Sequence, residues 1–563
     1  MTLALPGFSR SRARPHVDAW TLGAGLVAAL VALPIIAVLV VAFTPKGEVW
    51  AHLLTTVLPG YALNTLLLMV LVGVGVSVIG VGTAWLVAMC RFPGRDLFEW
   101  ALLLPLAMPA YVIGIVYVEH LEFAGPVQGL LRDLTGWRLA RDYWFPEVRS
   151  LGGAAAMLTL VLYPYVYLLA RTAFVEQCVC LLEASRTLDR SPWKSFWGVA
   201  LPMARPAIAV GVALALMETI SDFGTVKIFA VHTFTTGIYD VWLGMYDAPA
   251  AAQLAAALLM FVLLLIGLER YSRRGMDYGH ATRRHRPLPK QPLTGWRRNA
   301  AIAGCALPVL LGFVIPATTL AWWAWRTAPF MRLDDFAKDI STTFAMAGLA
   351  ALLVSGVAVY LGYAMRLSDA KGLRALVRFA SLGYAIPGSV IAVGTLIPFA
   401  IFDNALDGFM RANFGFGTGL LLSGTVVAVT FAYLVRFLAL SYGAVDSSLG
   451  RVTRNMDGAA RTLGLGPAAT LMRVHVPMIR GGVLAAALLV FVDVMKELPA
   501  TLILRPFNFS TLATRIYEYA KDEQFEETGL WALAIVLAGV IPLIIMSRAI
   551  AKARPGESNK LGL

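Results

Sequence analysis

The sequence predicts an all-α, polytopic membrane protein with about 12 transmembrane helices in two homologous halves that enter the bilayer in the same sense. Three observations carry that expectation. Only 14% of the 563 residues are charged and 58% are hydrophobic, whereas soluble domains carry about 25% charged residues. Apolar runs long enough to cross a bilayer, about 20 residues each, recur along the chain. Passages of the second half repeat passages of the first at a nearly constant spacing.

Hydropathy places six spans in the first half, at 20–43, 64–89, 99–119, 152–172, 205–223 and 252–269. It places six in the second, at 300–325, 341–365, 377–401, 419–440, 479–497 and 529–548. Arg10, Arg12 and Arg14 precede the first run as they would a signal peptide. That run is longer than a leader's apolar core and no small-residue cleavage site comes after it, so it is expected to be an uncleaved span. The organisation expected is a cytoplasmic N-terminus (1–19), a first half (20–269), a linker (270–299), a second half (300–548) and a cytoplasmic tail (549–563).

The net charge of +13 does not indicate nucleic acid, because its basic residues concentrate in alternate loops, which is the orientation signal of a membrane protein. Placing both termini inside puts the most basic segments inside. The linker alone holds nine Lys and Arg. Of the cysteines, Cys178 and Cys180 form a Cys-x-Cys pair without partner ligands, and with Cys90 and Cys305 they imply no disulfide framework.

The repeat is direct. "LNTLLLMVLVGVGVSVIGVGTAWLVAMCR" from Leu63 parallels "ISTTFAMAGLAALLVSGVAVYLGYAMR" from Ile340, and "MPAYVIGI" from Met108 parallels "IPGSVIAV" from Ile386. An even number of spans per half makes the halves parallel, with an expected two-fold axis along the membrane normal and a pathway at their interface. The glycines of "VGVGVSVIG" (72–80) lie within a span, where small residues serve close helix packing.

Two polar passages interrupt the apolar pattern at matching places: "EASRTLDRSPWKSFWGVALP" (183–202) and "GAARTLGLGPAATLMRVHVP" (458–477). The second reads as a short helix from Ala459 to Leu463, a turn at Gly464, Gly466 and Pro467, and a resumed helix. Both passages resemble the cytoplasmic coupling loop of ABC importer permeases. The resemblance implies a type I importer fold and a helix that docks on a separate ATPase subunit. It assigns that coupling to Glu183, Ala184, Ser185, Arg186, Asp189 and Pro202 in the first copy. In the second it assigns it to Gly458, Ala459, Ala460, Arg461, Gly464 and Pro477. Asp189 stands where the family has glycine, and Asp457-Gly458 replaces the leading glutamate.

The chain has no G-x-x-x-x-G-K-[ST] phosphate loop, zinc-protease motif or nucleophile elbow. It is therefore expected to be no enzyme, ATP and Mg being used by a partner. "METISDFGTVKIFAVHTFTTGIYDVWLGMYDAPAAAQLAA" (217–256) and "MKELPATLILRPFNFSTLATRIYEYAKDEQFEETGLWALA" (495–534) resemble the fused two-half permeases of ferric-iron importers. That resemblance implies Fe(III) as cargo, a periplasmic binding protein, two copies of an ATPase subunit, and a place in the bacterial inner membrane among its lipids. Thiamine, polyamine and organophosphonate importers are similar, so those cargoes stay open. An ion-gradient-driven transporter is a further alternative that would not need two coupling passages.

Four carboxylates stand out at the outer ends of the fifth and eleventh spans. Glu218 and Asp222 are four residues apart, hence on one helical face, and Asp493 and Glu497 repeat them 275 residues later. Glu218 lies 12 residues beyond Pro206, or about 18 Å along the helix. Carboxylates inside a bilayer face a cavity or a partner, and oxygen ligands suit a hard cation. The four are candidates either to line a transient stop for Fe(III) or to hold broken backbone at a gate. Tyr239 and Tyr517 come after similar passages but, as ordinary interfacial tyrosines, do not enter this set. The acidic stretch 517–529 is a solvated face or a docking surface.

Overall fold

A computed structural model describes residues 19–43, 48–176, 192–272, 291–368 and 370–552. Helices dominate. The strands among the described residues are Cys90–Arg91 and Gln291–Pro292, a two-residue parallel pairing that fastens the far end of the linker to the end of the helix Leu58–Met89.

Ten helices among the described residues are long and apolar enough to cross a bilayer, or eleven if one bent pair counts as a single span. The helix Gly529–Lys552 continues the series at the expected twelfth place. The tenth span, expected at 419–440, is the helix Val426–Leu449, and two others differ more from the hydropathy reading. The third is broken: Arg95–Ala107 and Ala110–Thr135 meet at a 90° bend. The ninth begins later than expected: an amphipathic helix Lys371–Ala380 precedes a turn, and the apolar helix is Gly388–Phe414. The cause is the same in both halves. Pro109 and Pro387 sit as N-caps in extended backbone (ψ 140° and 141°). Proline lacks an N–H and disfavours helical backbone in the residue before it, and Met108 is accordingly extended at φ −89°, ψ 120°. Averaged hydropathy cannot see such a break.

Contacts divide the chain into two compact units that cut across the sequence halves. The larger comprises 34–349, 385–432 and 491–563. Its centre is the packing of Leu58–Met89 on Leu151–Glu176, where the glycines of the 72–80 stretch admit the partner helix: a Cβ at Gly75 would lie 2.6 Å from Thr159 Oγ1, and one at Gly80 would lie 2.7 Å from Val166 Cβ. Leu201–Ser221 joins the same stack, with Gly211 against the Val166 backbone. The smaller unit gathers 350–384, 433–490 and the described part of 1–33. There Trp20 stacks on Tyr360 and meets Tyr363 edge-on.

Candidate functional site

The second coupling passage lies within the smaller unit. Its helix runs Arg454–Thr462, five residues longer at its start than the sequence suggests, and carries Gly458, Ala459, Ala460 and Arg461. It ends at Gly464, whose φ of +78° is a backbone state glycine adopts at little cost. Gly466 then caps a new helix with Pro467 at its first position. Asp457 anchors the passage. It accepts from Arg366 Nε at 2.9 Å and lies 2.7 Å from His475 Nε2. The same Arg366 donates to Leu449 O and Val452 O, and Tyr363 donates to Pro467 O at 2.9 Å. Arg461, Leu463 and Met472 remain exposed. In the first copy Glu183, Ala184, Ser185, Arg186 and Asp189 lie outside the described residues, while Pro202 starts the helix Leu201–Ser221.

Each passage enters its span through one wide turn. Leu201 N–H reaches back five residues to Phe196 O, and Val476 N–H does the same to Leu471 O, at positions 275 apart. A proline in an α-helix loses one ladder bond and clashes with the carbonyl four residues back. An i→i+5 turn just before Pro202 and Pro477 moves that carbonyl away, which keeps the rod continuous.

At the other end of these spans two of the candidate carboxylates act as caps on short helices. Asp222 accepts from Val226 N at 3.0 Å and Thr225 Oγ1 at 2.9 Å, which starts the short helix Gly224–Ile228. Glu497, buried, accepts from Ala500 N, Thr501 N and Thr501 Oγ1 at 2.8–3.1 Å, which starts Pro499–Leu504. These carboxylates satisfy the orphan N–H groups of a helix start. Asp493 pairs with Lys496 at 2.8 Å. Glu218 is half-buried and within charge range of both Asp222 and Lys496. Among the described residues no group of three or more His, Cys, Asp or Glu side chains is placed to hold a metal ion. Asp222 and Glu497 thus hold the turns that follow them, Asp493 pairs with Lys496, and Glu218 lies within charge range of the same lysine.

The two capped turns meet. A Cβ on Gly224 would lie 2.6 Å from Tyr111 Cβ and 3.0 Å from Leu498 Cδ2, so only glycine allows this approach. The Tyr111 hydroxyl is buried without a partner, within charge range of Asp222 and Glu497.

Beyond each turn the halves repeat each other at an offset of 278. Ala230 and Asn508 both have positive φ (54° and 59°). Thr233 N donates to Thr236 Oγ1 and Thr511 N to Thr514 Oγ1, both at 2.9 Å, which caps the helices Phe234–Tyr239 and Leu512–Lys521. Lys227 bonds Asp240 at 2.8 Å and Arg505 bonds Glu518 at 2.6 Å. The rings of Tyr239 and Tyr517 both lie against Phe223, at 4.8 and 5.5 Å between centroids. Burial raises both phenols above their ordinary pKa, and the Asp240 carboxylate adds to the rise. Residue type alone does not single out Lys227, Asp240, Arg505, Glu518, Arg366 or His475. The signal that finds the first four is the second offset, since each pair recurs 278 residues apart.

This geometry matches known transport proteins. Residues 76–277 match the family described as binding-protein-dependent transport system inner membrane component. The chain is 28% identical over 489 residues to the Fe(3+)-transport system permease protein FbpB 2 of Haemophilus influenzae, covering 86% of this chain and 89% of the relative. Against the ferric transport system permease protein FbpB of Actinobacillus pleuropneumoniae it is 21% identical, over 86% of this chain and 69% of that one. The molybdenum transport system permease protein ModB of Escherichia coli K12 is 30% identical over 195 residues, which is 33% of this chain and 82% of ModB. Two like sets of apolar helices, each entered through a wide turn before a proline and closed by a capped turn, together with these matches, mean that the chain belongs to the family of inner-membrane permeases of binding-protein-dependent ABC importers.

Proposed function

We propose that the chain passes ferric iron, handed over by a periplasmic binding protein, through the inner membrane. Two copies of a partner ATPase dock on its two coupling passages and drive alternating access, and both termini lie inside. The observation that carries the cargo is the extent of the ferric similarity. The Fe(3+)-transport relative matches across 86% of the chain, through both halves, whereas the molybdenum relative covers 33%. The docking reading is supported by the exposed Leu463, 80% accessible beside the left-handed Gly464, and by the exposed Arg461. An apolar knob with a cationic neighbour on a short rigid helix fits a groove in a partner protein. Meeting of the capped turns at Gly224, Tyr111 and Leu498 supports a gate that is shut in this state.

The test is uptake of radioactive Fe(III) by cells lacking this chain and cells in which it is restored. A parallel strain carries Arg186→Glu with Arg461→Glu. Loss of uptake on deletion, and failure of the double variant at normal membrane levels, is the expected result. Iron uptake unchanged by deletion in a transporter-poor strain overturns the cargo, and thiamine, polyamine and organophosphonate uptake are then measured. A double variant that transports normally overturns the docking.

A further inference from the structure

The broken third span leads into a helix whose apolar side faces away from the protein. Pro126–Thr135 starts after a tight turn in which Gly125 N donates to Glu122 O, and it ends at Gly136 in left-handed backbone (φ +78°). Two of its polar side chains point inward. Gln128, buried, donates to Leu121 O at 2.7 Å and accepts from the Tyr143 hydroxyl at 2.6 Å. Arg132 donates to Phe123 O at 2.7 Å and lies 4.2 Å over the Phe123 ring. Val127, Leu130 and Leu134, at spacings of three and four, form one stripe and are 42%, 61% and 76% exposed. A helix on the surface of a globular protein does the reverse and turns its apolar stripe to the core. The stretch 278 residues on does not turn at all and continues the helix Gly388–Phe414.

Neighbouring side chains fix the depth of this helix. His120, six residues before Pro126, has its Nε2 3.3 Å from Thr319 Oγ1 and its ring 6.2 Å from that of Trp323, both on the helix Ile315–Thr327. On that helix Trp322 and Trp325 are 60% and 80% exposed, and Phe330 just beyond it is 89% exposed. Exposed tryptophans at the end of a span mark the membrane–water interface. The helix Pro126–Thr135 therefore begins at the level of that interface, and the loop after it presents Trp144, 86% exposed.

We propose that Pro126–Thr135 is an interfacial anchor: it lies along the head-group region of the leaflet on the capped-turn side, with Val127, Leu130 and Leu134 sunk among the acyl chains. Its partner is a lipid surface, whatever the cargo. An apolar helix face flanked by aromatic side chains seats in that boundary. Here the inward face meets the protein, so Gln128 and Arg132 fasten the helix to its own chain while the stripe fastens it to lipid. The anchor ties down the far end of the helix Ala110–Leu121, whose near end carries Tyr111 against Gly224. Tyr111 thereby keeps a set height in the bilayer while other helices move.

The test footprints the full chain in proteoliposomes with two reagents, a diazirine dissolved in the lipid and hydroxyl radicals made in the water. Mass spectrometry locates the modified residues. Val127, Leu130 and Leu134 should take the lipid label as Val70 and Val74 do, which are 54% and 60% exposed on the helix Leu58–Met89, and should resist the radicals. Leu130→Asn with Leu134→Asn should cost Val127 its lipid label and open it to radicals, with Val70 and Val74 unchanged as evidence that the fold holds. Leu130→Phe with Leu134→Phe should keep the label. A wild-type stripe that takes radicals and no lipid label overturns the anchor and makes this face one for a water-soluble partner. A stripe that takes neither is covered by protein and overturns it too, as does a Val127 that keeps its lipid label in the asparagine variant. The wild-type comparison decides by itself if that variant misfolds.

Discussion

The two capped segments share a plan but hang from their long helices by different chemistry. In the first half Asn64 Nδ2 donates to His232 O at 2.9 Å, and Gly237 lets the Tyr61 ring lie directly on the segment. In the second half the anchor is Asp339, almost fully buried. It accepts from Arg515 Nε at 2.9 Å and Trp531 Nε1 at 3.0 Å, while Leu512 N donates to Thr343 Oγ1. A neutral hydrogen bond nets about 1 kcal/mol, whereas removing one partner of a buried charged pair costs several. The second segment is therefore the more firmly held of the two.

Replacing Asp339 should break this comparison hardest. Asp339→Ala leaves the Trp531 N–H without an acceptor and the Arg515 guanidinium with Glu518 alone, and should cost about 3 kcal/mol of stability. Asn64→Ala should cost about 1 kcal/mol. Melting of the two purified variants checks this, and equal shifts would remove the distinction between the two segments. The coupling end is the next test. Asp457→Asn weakens the hold of Arg366 and His475 on the helix proposed to dock on the ATPase, so iron moved per ATP hydrolysed should fall by about tenfold with ATPase subunits still bound. Asp457→Glu should restore part of it. A fall in ATP hydrolysis and transport together, at constant ratio, would reduce Asp457 to a plain scaffold residue.

Smaller effects sharpen the comparison at the capped turns. Glu497→Gln exchanges one acceptor oxygen for a donor in a buried cap of two N–H groups and a hydroxyl, and should cost about 2 kcal/mol. Asp222→Asn, at a half-buried cap of one N–H and one hydroxyl, should cost about 1 kcal/mol. Melting in the reverse order would argue against the caps as described. Smallest of all, Ala230→Gly should stabilise by about 0.5–1 kcal/mol, because alanine is strained at positive φ, while Asn508→Gly should change little, asparagine tolerating that backbone.

Much of the architecture is legible in the chain itself. Span positions come from apolar runs, and the repeat comes from matched strings such as "MPAYVIGI" and "IPGSVIAV". The break at Met108-Pro109 and the late start at Gly388 are not legible, since hydropathy averages over a bend that one proline causes. Charge and spacing find Glu218, Asp222, Asp493 and Glu497. That Asp222 and Glu497 fold back onto the N–H groups just after them is a matter of backbone direction, which spacing does not report. Tyr239 and Tyr517 are visible as parallels, but their meeting on Phe223 joins residues almost 300 apart in the chain. Asp457 shows only as a departure from a familiar pattern; its partners Arg366 and His475 come from other helices.

The wide turns before Pro202 and Pro477 have a mechanical consequence. From each proline it is 20 residues to the capping carboxylate, Asp222 or Glu497, or about 30 Å of helix. Since the turn absorbs that proline without opening the ladder, the second helix can act as a drive shaft that carries torsion as well as thrust, whereas Pro206 leaves the first helix one ladder bond short. The first helix ends at Ser221, next to Asp222, and the second at Met495, two residues short of Glu497, so one and the same twist would reach the two carboxylates at different angles.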